Sequence, residues 1–92
     1  MSDERFELLV APTVRRLLSE QLPAAVAFAA YEFIVGPLLE NPHRVGKPLR
    51  APFEGSHSAR RGTYRVIYRI DDVQRRVTVV GVLPRSDSYR SH

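Results

Sequence analysis

A small α+β fold is expected from three features of the 92-residue chain. Two apolar periodicities of helical spacing occupy the N-terminal half. Three stretches of strand-like alternation occupy the C-terminal half, and the connections between them are short. Together these read β-α-α-β-β-β, a small antiparallel sheet with two N-terminal helices packed on one face and the other face open. The length suits a single domain over 1–92. The apolar share of 43% and charged share of 26% are those of an ordinary globular protein.

The elements follow in order. Residues 5–10 alternate Phe6, Leu8 and Val10 against Glu7, a half-buried strand. Pro12 precedes a helical pattern in which Val14, Leu17, Leu18 and Leu22 share one side and Arg15, Arg16, Ser19 and Glu20 the other. Pro23 ends this helix and suits the first turn of the next. The second helix, about 23–35, is alanine-rich and apolar on most faces, so it is expected to lie buried across the sheet. Gly36-Pro37 should interrupt it, with one more turn before Asn41-Pro42. Residues 41–55 hold three prolines and two glycines and read as an irregular loop, long for a compact domain. Strands follow at about 56–61, 64–70 and 76–83, the last carried by Val77, Val79, Val80, Val82 and Leu83. Asp71-Asp72 begins the final turn.

Several classes of chemistry are excluded. With no cysteine there is no disulfide and no thiol chemistry. The three histidines, His43, His57 and His92, lack metal-ligand spacing. The first residues are charged and carry no apolar signal segment. The most apolar stretch, Leu22 to Leu39, is broken by Pro23, Glu32, Gly36 and Pro37, so no membrane span is expected. A cytoplasmic protein is expected.

Charge is more informative than composition. The net charge is +4, with Lys47 the single lysine. Residues 1–46 sum to −2 and residues 47–92 to +6. A basic half on a small domain is the footprint of an anionic partner, a nucleic acid or an acidic protein.

Strand register says where that charge points. Gly62-Thr63 suits a two-residue type II′ turn. It pairs Arg61 with Tyr64, Arg60 with Arg65, Ala59 with Val66, Ser58 with Ile67 and His57 with Tyr68. Because side chains alternate faces, Tyr64, Val66, Tyr68, Ile70, Ala59 and His57 form the helix-facing core. Ser58, Arg60, Arg65 and Arg69 then share the open face. Like charges directly opposite are destabilising unless an anion relieves them, so Arg60 and Arg65 mark a candidate anion site. Arg85 and Tyr89, just past the last strand, could reach the same surface, and Tyr89 could stack on a base. His57 is expected to be a core histidine. His43 and His92 receive no role.

The runs Gly46-Lys47-Pro48-Leu49-Arg50, His57-Ser58-Ala59-Arg60-Arg61-Gly62-Thr63-Tyr64-Arg65-Val66-Ile67-Tyr68-Arg69-Ile70-Asp71-Asp72 and Pro84-Arg85-Ser86-Asp87-Ser88-Tyr89-Arg90 resemble the RelE group of the RelE/ParE toxin superfamily. The resemblance implies a RelE-like fold and the toxin of a type II toxin–antitoxin system. Such a toxin enters the ribosomal A site and cuts mRNA by attack of a ribose 2′-OH on the adjacent phosphate, with no metal or other cofactor. It implies an acidic, RelB-like antitoxin, the ribosome and mRNA as partners, and operator DNA only through the antitoxin complex. Carried over by position, the catalytic set is Arg60, Arg65, Arg85 and Tyr89. Lys47, Arg50, Arg61, Arg69 and Arg90 are expected to contact RNA. Ser58 departs from the family, where a second basic strand residue is common, and so does Pro84, where His or Lys is usual. Arginine stays protonated, so Arg60, Arg65 and Arg85 are assigned to phosphate binding and transition-state stabilisation, leaving the base unidentified. Two further readings share the fold. One is a ParE-type, non-enzymatic gyrase inhibitor, and the other a degenerate toxin that binds only antitoxin and operator.

Overall fold

A computed structural model describes residues 5–84. Strand β1 (Glu7–Val10) leads into α1 (Pro12–Arg16), with Pro12 in its first turn. Residues Leu17–Gln21 extend α1 as a wider π-type turn, closed by the Leu22 amide donating to the Leu17 carbonyl at 3.0 Å. Helix α2 (Ala24–Val35) follows, and Gly36 separates it from the single turn of α3 (Pro37–Glu40). The chain then crosses to the far edge of the sheet as β2 (Lys47–Pro48). It returns through β3 (Ser56–Arg61), β4 (Tyr64–Asp71) and β5 (Arg76–Pro84).

The sheet order is β1-β5-β4-β3-β2. As expected, β3, β4 and β5 form an antiparallel meander. Two features were not legible. Strand β1 joins β5 in parallel, Glu7 opposite Arg76 and Val10 opposite Val79, so the sheet is mixed. No local turn announces a pairing between residues 69 apart in sequence. The second is β2, which lies within the stretch read as irregular loop and pairs Lys47 with Ser58 and Pro48 with His57. Proline at position 48 is compatible with an edge strand, where a missing N–H costs no ladder bond.

The hairpin register is the one expected, from His57 opposite Tyr68 to Arg61 opposite Tyr64. Gly62 carries the positive φ of 61° at the first central position of the turn. A bulge in β5 leaves Val80 as an extra residue, since Ile67 faces Gly81 and Tyr68 faces Val79. In the β4–β5 turn the Asp71 carboxylate accepts the Gln74 amide at 3.0 Å. Arg75 is left-handed there (φ 55°), with its guanidinium 4.3 Å over the Phe6 ring and its carbonyl accepting the Glu7 amide.

The core lies between the helices and one sheet face. Val14, Ala30, Phe33, Ile34, Leu38 and Leu39 meet Ala59, Tyr64, Val66, Tyr68, Val77, Val79 and Val82. Helix α2 corrects one expectation. Only Ala30, Phe33 and Ile34 are buried, while Phe28 and Tyr31 remain 63% and 55% exposed. A helix lying on a sheet buries one side, and α2 is apolar on two. Among the described residues no helix is long and apolar enough to cross a membrane.

Candidate functional site

The open face of the sheet holds the expected cations. Arg60 and Arg65 are direct cross-strand partners, and Lys47 lies opposite Ser58 one strand further out. Directly paired residues share a face, so Lys47, Ser58, Arg60 and Arg65 line a common surface. They enclose a cleft of about 450 Å³ whose remaining walls are Val45, Gly46 and Leu49. Among the described residues no carboxylate lines it. A concave site with three cationic side chains and no acid concentrates an anion at the sheet edge. Arg65 is half-buried and pairs across β5 with Leu83, whereas Arg60 is exposed at the rim.

The wall of this cleft is fixed from behind. The fully buried Tyr68 donates its hydroxyl to the Pro42 carbonyl at 2.7 Å. Gly46 passes so close to that hydroxyl that a Cβ there would collide with it and sit 2.8 Å from the Ser58 carbonyl oxygen. Glycine is therefore required because it has no Cβ, and its close approach sets the backbone one residue before Lys47. Burial pushes the Tyr68 phenol up to about 12, so it remains a donor across the physiological range.

His57 is on the helix side of the sheet, as expected, stacked on Tyr68 at 5.5 Å and edge-on to His43 at 5.9 Å. Its pKa is lowered, first by burial and then by His43, with Asp72 acting in the opposite direction. His43, which sequence reasoning left without a role, has Nε2 2.8 Å from an Asp72 carboxylate oxygen. It thereby ties the loop after α3 to the β4–β5 turn.

Other sequence-selected residues are not gathered at the cleft. Arg61 was expected to contact RNA with the others. Alternation along β3 puts it on the helix side, where its guanidinium lies 4.7 Å above the Phe33 ring. It lines a second groove of about 720 Å³ between α2 and the β3–β4 hairpin, shared with Glu32 and Tyr64 and bordered, like the cleft, by Arg60. Arg69 keeps the open face but lies further along it, opposite Ser56 and Thr78 and against Gly55. Arg50 is exposed in the β2–β3 loop. Arg85, Tyr89 and Arg90 lie outside the described residues. The placement of Lys47 opposite Ser58 was missed. The available signal was Gly46-Lys47-Pro48, a close-packing residue followed by two that suit an edge strand.

Comparison with known proteins agrees with this architecture. The family described as ParE toxin of type II toxin–antitoxin system, parDE, matches residues 13–89. The Mycobacterium tuberculosis toxin RelE is 52% identical over 91 residues, covering 98% of this chain and 93% of its own. The chain is a RelE-like toxin of the RelE/ParE family. Among solved structures, the M. tuberculosis toxin–antitoxin complex RelBE2 contains a chain 44% identical with a TM-score of 0.83, covering 88% of this RelE-like toxin and 99% of that chain. An E. coli RelE variant in the free state shares the fold at 21% identity and a TM-score of 0.71, covering 91% and 87%.

Proposed function

We infer that this RelE-like toxin is a ribosome-dependent mRNA endonuclease that acts in the cytoplasm, arrests translation and growth, and is silenced by a cognate antitoxin. The observation that carries the reading is the cleft where Arg60, Arg65 and Lys47 converge on the open sheet face, with no carboxylate among the described residues that line it. The 52% identity to a toxin named RelE supports the same branch. In this reading the substrate is a phosphodiester of mRNA held in the ribosomal A site. The ribose 2′-oxygen attacks the adjacent phosphorus, and the 5′-oxygen of the next nucleotide leaves. Arg60 and Arg65 bind the phosphate and stabilise the extra negative charge of the pentacoordinate transition state. Arg85 is assigned to the same charge and Tyr89 to stacking on a base. The ribosome supplies much of the alignment, since holding the 2′-oxygen in line with the scissile bond removes a large part of the barrier.

The partner in this reading is a RelB-like antitoxin whose acidic segment complements the +6 half of the toxin. A solved relative is itself a toxin–antitoxin complex. Operator DNA is contacted only through that complex. The test is induction of the toxin in cells followed by primer extension on abundant transcripts. Wild type should give discrete cuts within translated codons, and Arg65→Ala should give none while still binding antitoxin. Intact transcripts with DNA damage would replace this reading with gyrase inhibition. Harmless overexpression of wild type would replace it with a degenerate toxin.

A further inference from the structure

Transfer of a phosphoryl group to a 2′-oxygen leaves a second problem that charge stabilisation does not solve. The departing 5′-oxygen is an alkoxide and needs a proton as its bond to phosphorus breaks. Guanidinium groups hold their protons too firmly for efficient transfer, so Arg60 and Arg65 are poorly suited to supply one. His57 sits on the opposite sheet face, stacked on Tyr68. His43 is engaged with Asp72 beyond the far end of β4. Of the described side chains lining the cleft, only Lys47 is both cationic and able to release its proton.

Its position suits that task. Lys47 is in register with Ser58, two residues from Arg60 on the same strand face. From β2 to β4 the cationic row spans about 10 Å, two strand spacings, so a phosphodiester on Arg60 and Arg65 lies within reach of the Lys47 side chain. The backbone there is held by the ladder to β3 on one side and by the close approach of Gly46 to Tyr68 and Ser58 on the other. The ammonium itself is exposed, with solvent to replace a lost proton.

Resting on the endonuclease reading above, we propose that Lys47 is a catalytic residue, the proton donor to the departing 5′-oxygen. The step balances as follows. The 2′-hydroxyl proton passes to water while the O2′–P bond forms. The P–O5′ bond breaks, its electron pair stays on O5′, and O5′ takes a proton from Lys47 Nζ. The products are a 2′,3′-cyclic phosphate and a 5′-hydroxyl, and the amine is reprotonated from solvent.

The experiment uses the full-length toxin and ribosomes programmed with an mRNA whose cut site has been mapped. Two substrates are compared at that site, the natural phosphodiester and one with sulfur replacing the 5′-bridging oxygen, whose thiolate leaves without a proton. Lys47→Ala and Lys47→Arg should both slow single-turnover cleavage of the oxygen substrate about 100-fold or more, the scale of a lost general acid. Both should cleave the sulfur substrate at close to the wild-type rate. A wild-type rate for Lys47→Arg on oxygen, or an equal loss on both substrates, overturns the assignment and leaves Lys47 as a phosphate contact. If wild type itself leaves the oxygen substrate intact on ribosomes, it is the endonuclease reading that falls.

Discussion

Removing one oxygen atom tests how the cleft wall is held. Tyr68→Phe keeps the buried ring and its stacking on His57 and deletes only the hydroxyl that donates to the Pro42 carbonyl at 2.7 Å. Pro42 is itself buried, so the carbonyl has little access to water once the donor is gone. A net hydrogen bond contributes about 1 kcal/mol, and an orphaned buried acceptor costs about 1–3 kcal/mol. A loss of about 2 kcal/mol is therefore expected. For a domain of this size each kcal/mol moves Tm by about 4–8 °C, so thermal unfolding followed by circular dichroism should show Tm about 8–16 °C lower. The variant should also change the response to Gly46→Ala. In wild type the added methyl meets both the Tyr68 hydroxyl and the Ser58 carbonyl. In Tyr68→Phe only the carbonyl remains, so the second substitution should cost less there. A third signature is alkaline. The folded phenol at about 12 lies above its ordinary value of 10.0, so the neutral form is favoured by folding. Its contribution is complete below pH 10 and is lost as pH rises toward 12, and Tyr68→Phe should lack that loss. A Tm within 2 °C of wild type together with additive effects of the two substitutions would refute the claim that this hydroxyl anchors the wall.

Further predictions concern the two sheet faces. Arg65→Ala should lower ribosome-programmed cleavage about 10²–10³-fold with the fold retained, measured by single-turnover kinetics. Arg60→Thr should separate stability from activity. It relieves a like-charge cross-strand pair worth about 0.2–1 kcal/mol, so Tm should hold or rise while cleavage falls. Arg61→Gln should cost about 0.5–1 kcal/mol from the lost contact with Phe33, read by denaturant titration, with cleavage unaffected. His57 has a folded pKa below its ordinary 6.5, so folding favours its neutral form. Its contribution is complete above pH 6.5 and is lost as pH falls below that value. Chemical denaturation between pH 7.5 and 5 should show declining stability, and His57→Phe should flatten the decline.

What was legible in the sequence depended on the range of the signal. The β3–β4 hairpin could be read residue by residue because Gly62-Thr63 fixes a two-residue turn and alternation fixes the faces. The Arg60–Arg65 pair followed from that register alone. The parallel pairing of β1 with β5 did not, since nothing near Glu7 or Arg76 refers to the other residue. Helix α2 misled because apolar residues on two sides look the same in sequence whether one side or both are covered. Arg61 was expected to contact RNA with Lys47, Arg50, Arg69 and Arg90, although one step along a strand from Arg60 reverses the face. The position of Lys47 depended on a two-residue strand whose preceding Gly46 is set against a tyrosine 22 residues further on, too short and too non-local for any periodicity to reveal.

The edge location of the cleft follows from the same short strand. Only residues 57 and 58 of β3 are covered by β2, so the segment from Ala59 to Arg61 has an open edge. Exposed strand edges invite pairing with another chain, and proteins blunt them with lysine and proline. Lys47 and Pro48 are those two residues in succession. Proline offers no N–H to a further chain on the outer side, and lysine places a charge beside the uncovered edge. The arrangement that discourages edge-to-edge association therefore also leaves a concave corner beside Arg60 and puts an ammonium at its lip. Extending β2 backwards from Lys47 through Gly46 and Val45, into register with Ala59 and Arg60, would cover the edge and fill that corner together. Protection of the edge and access to the cationic cleft are consequences of one two-residue strand.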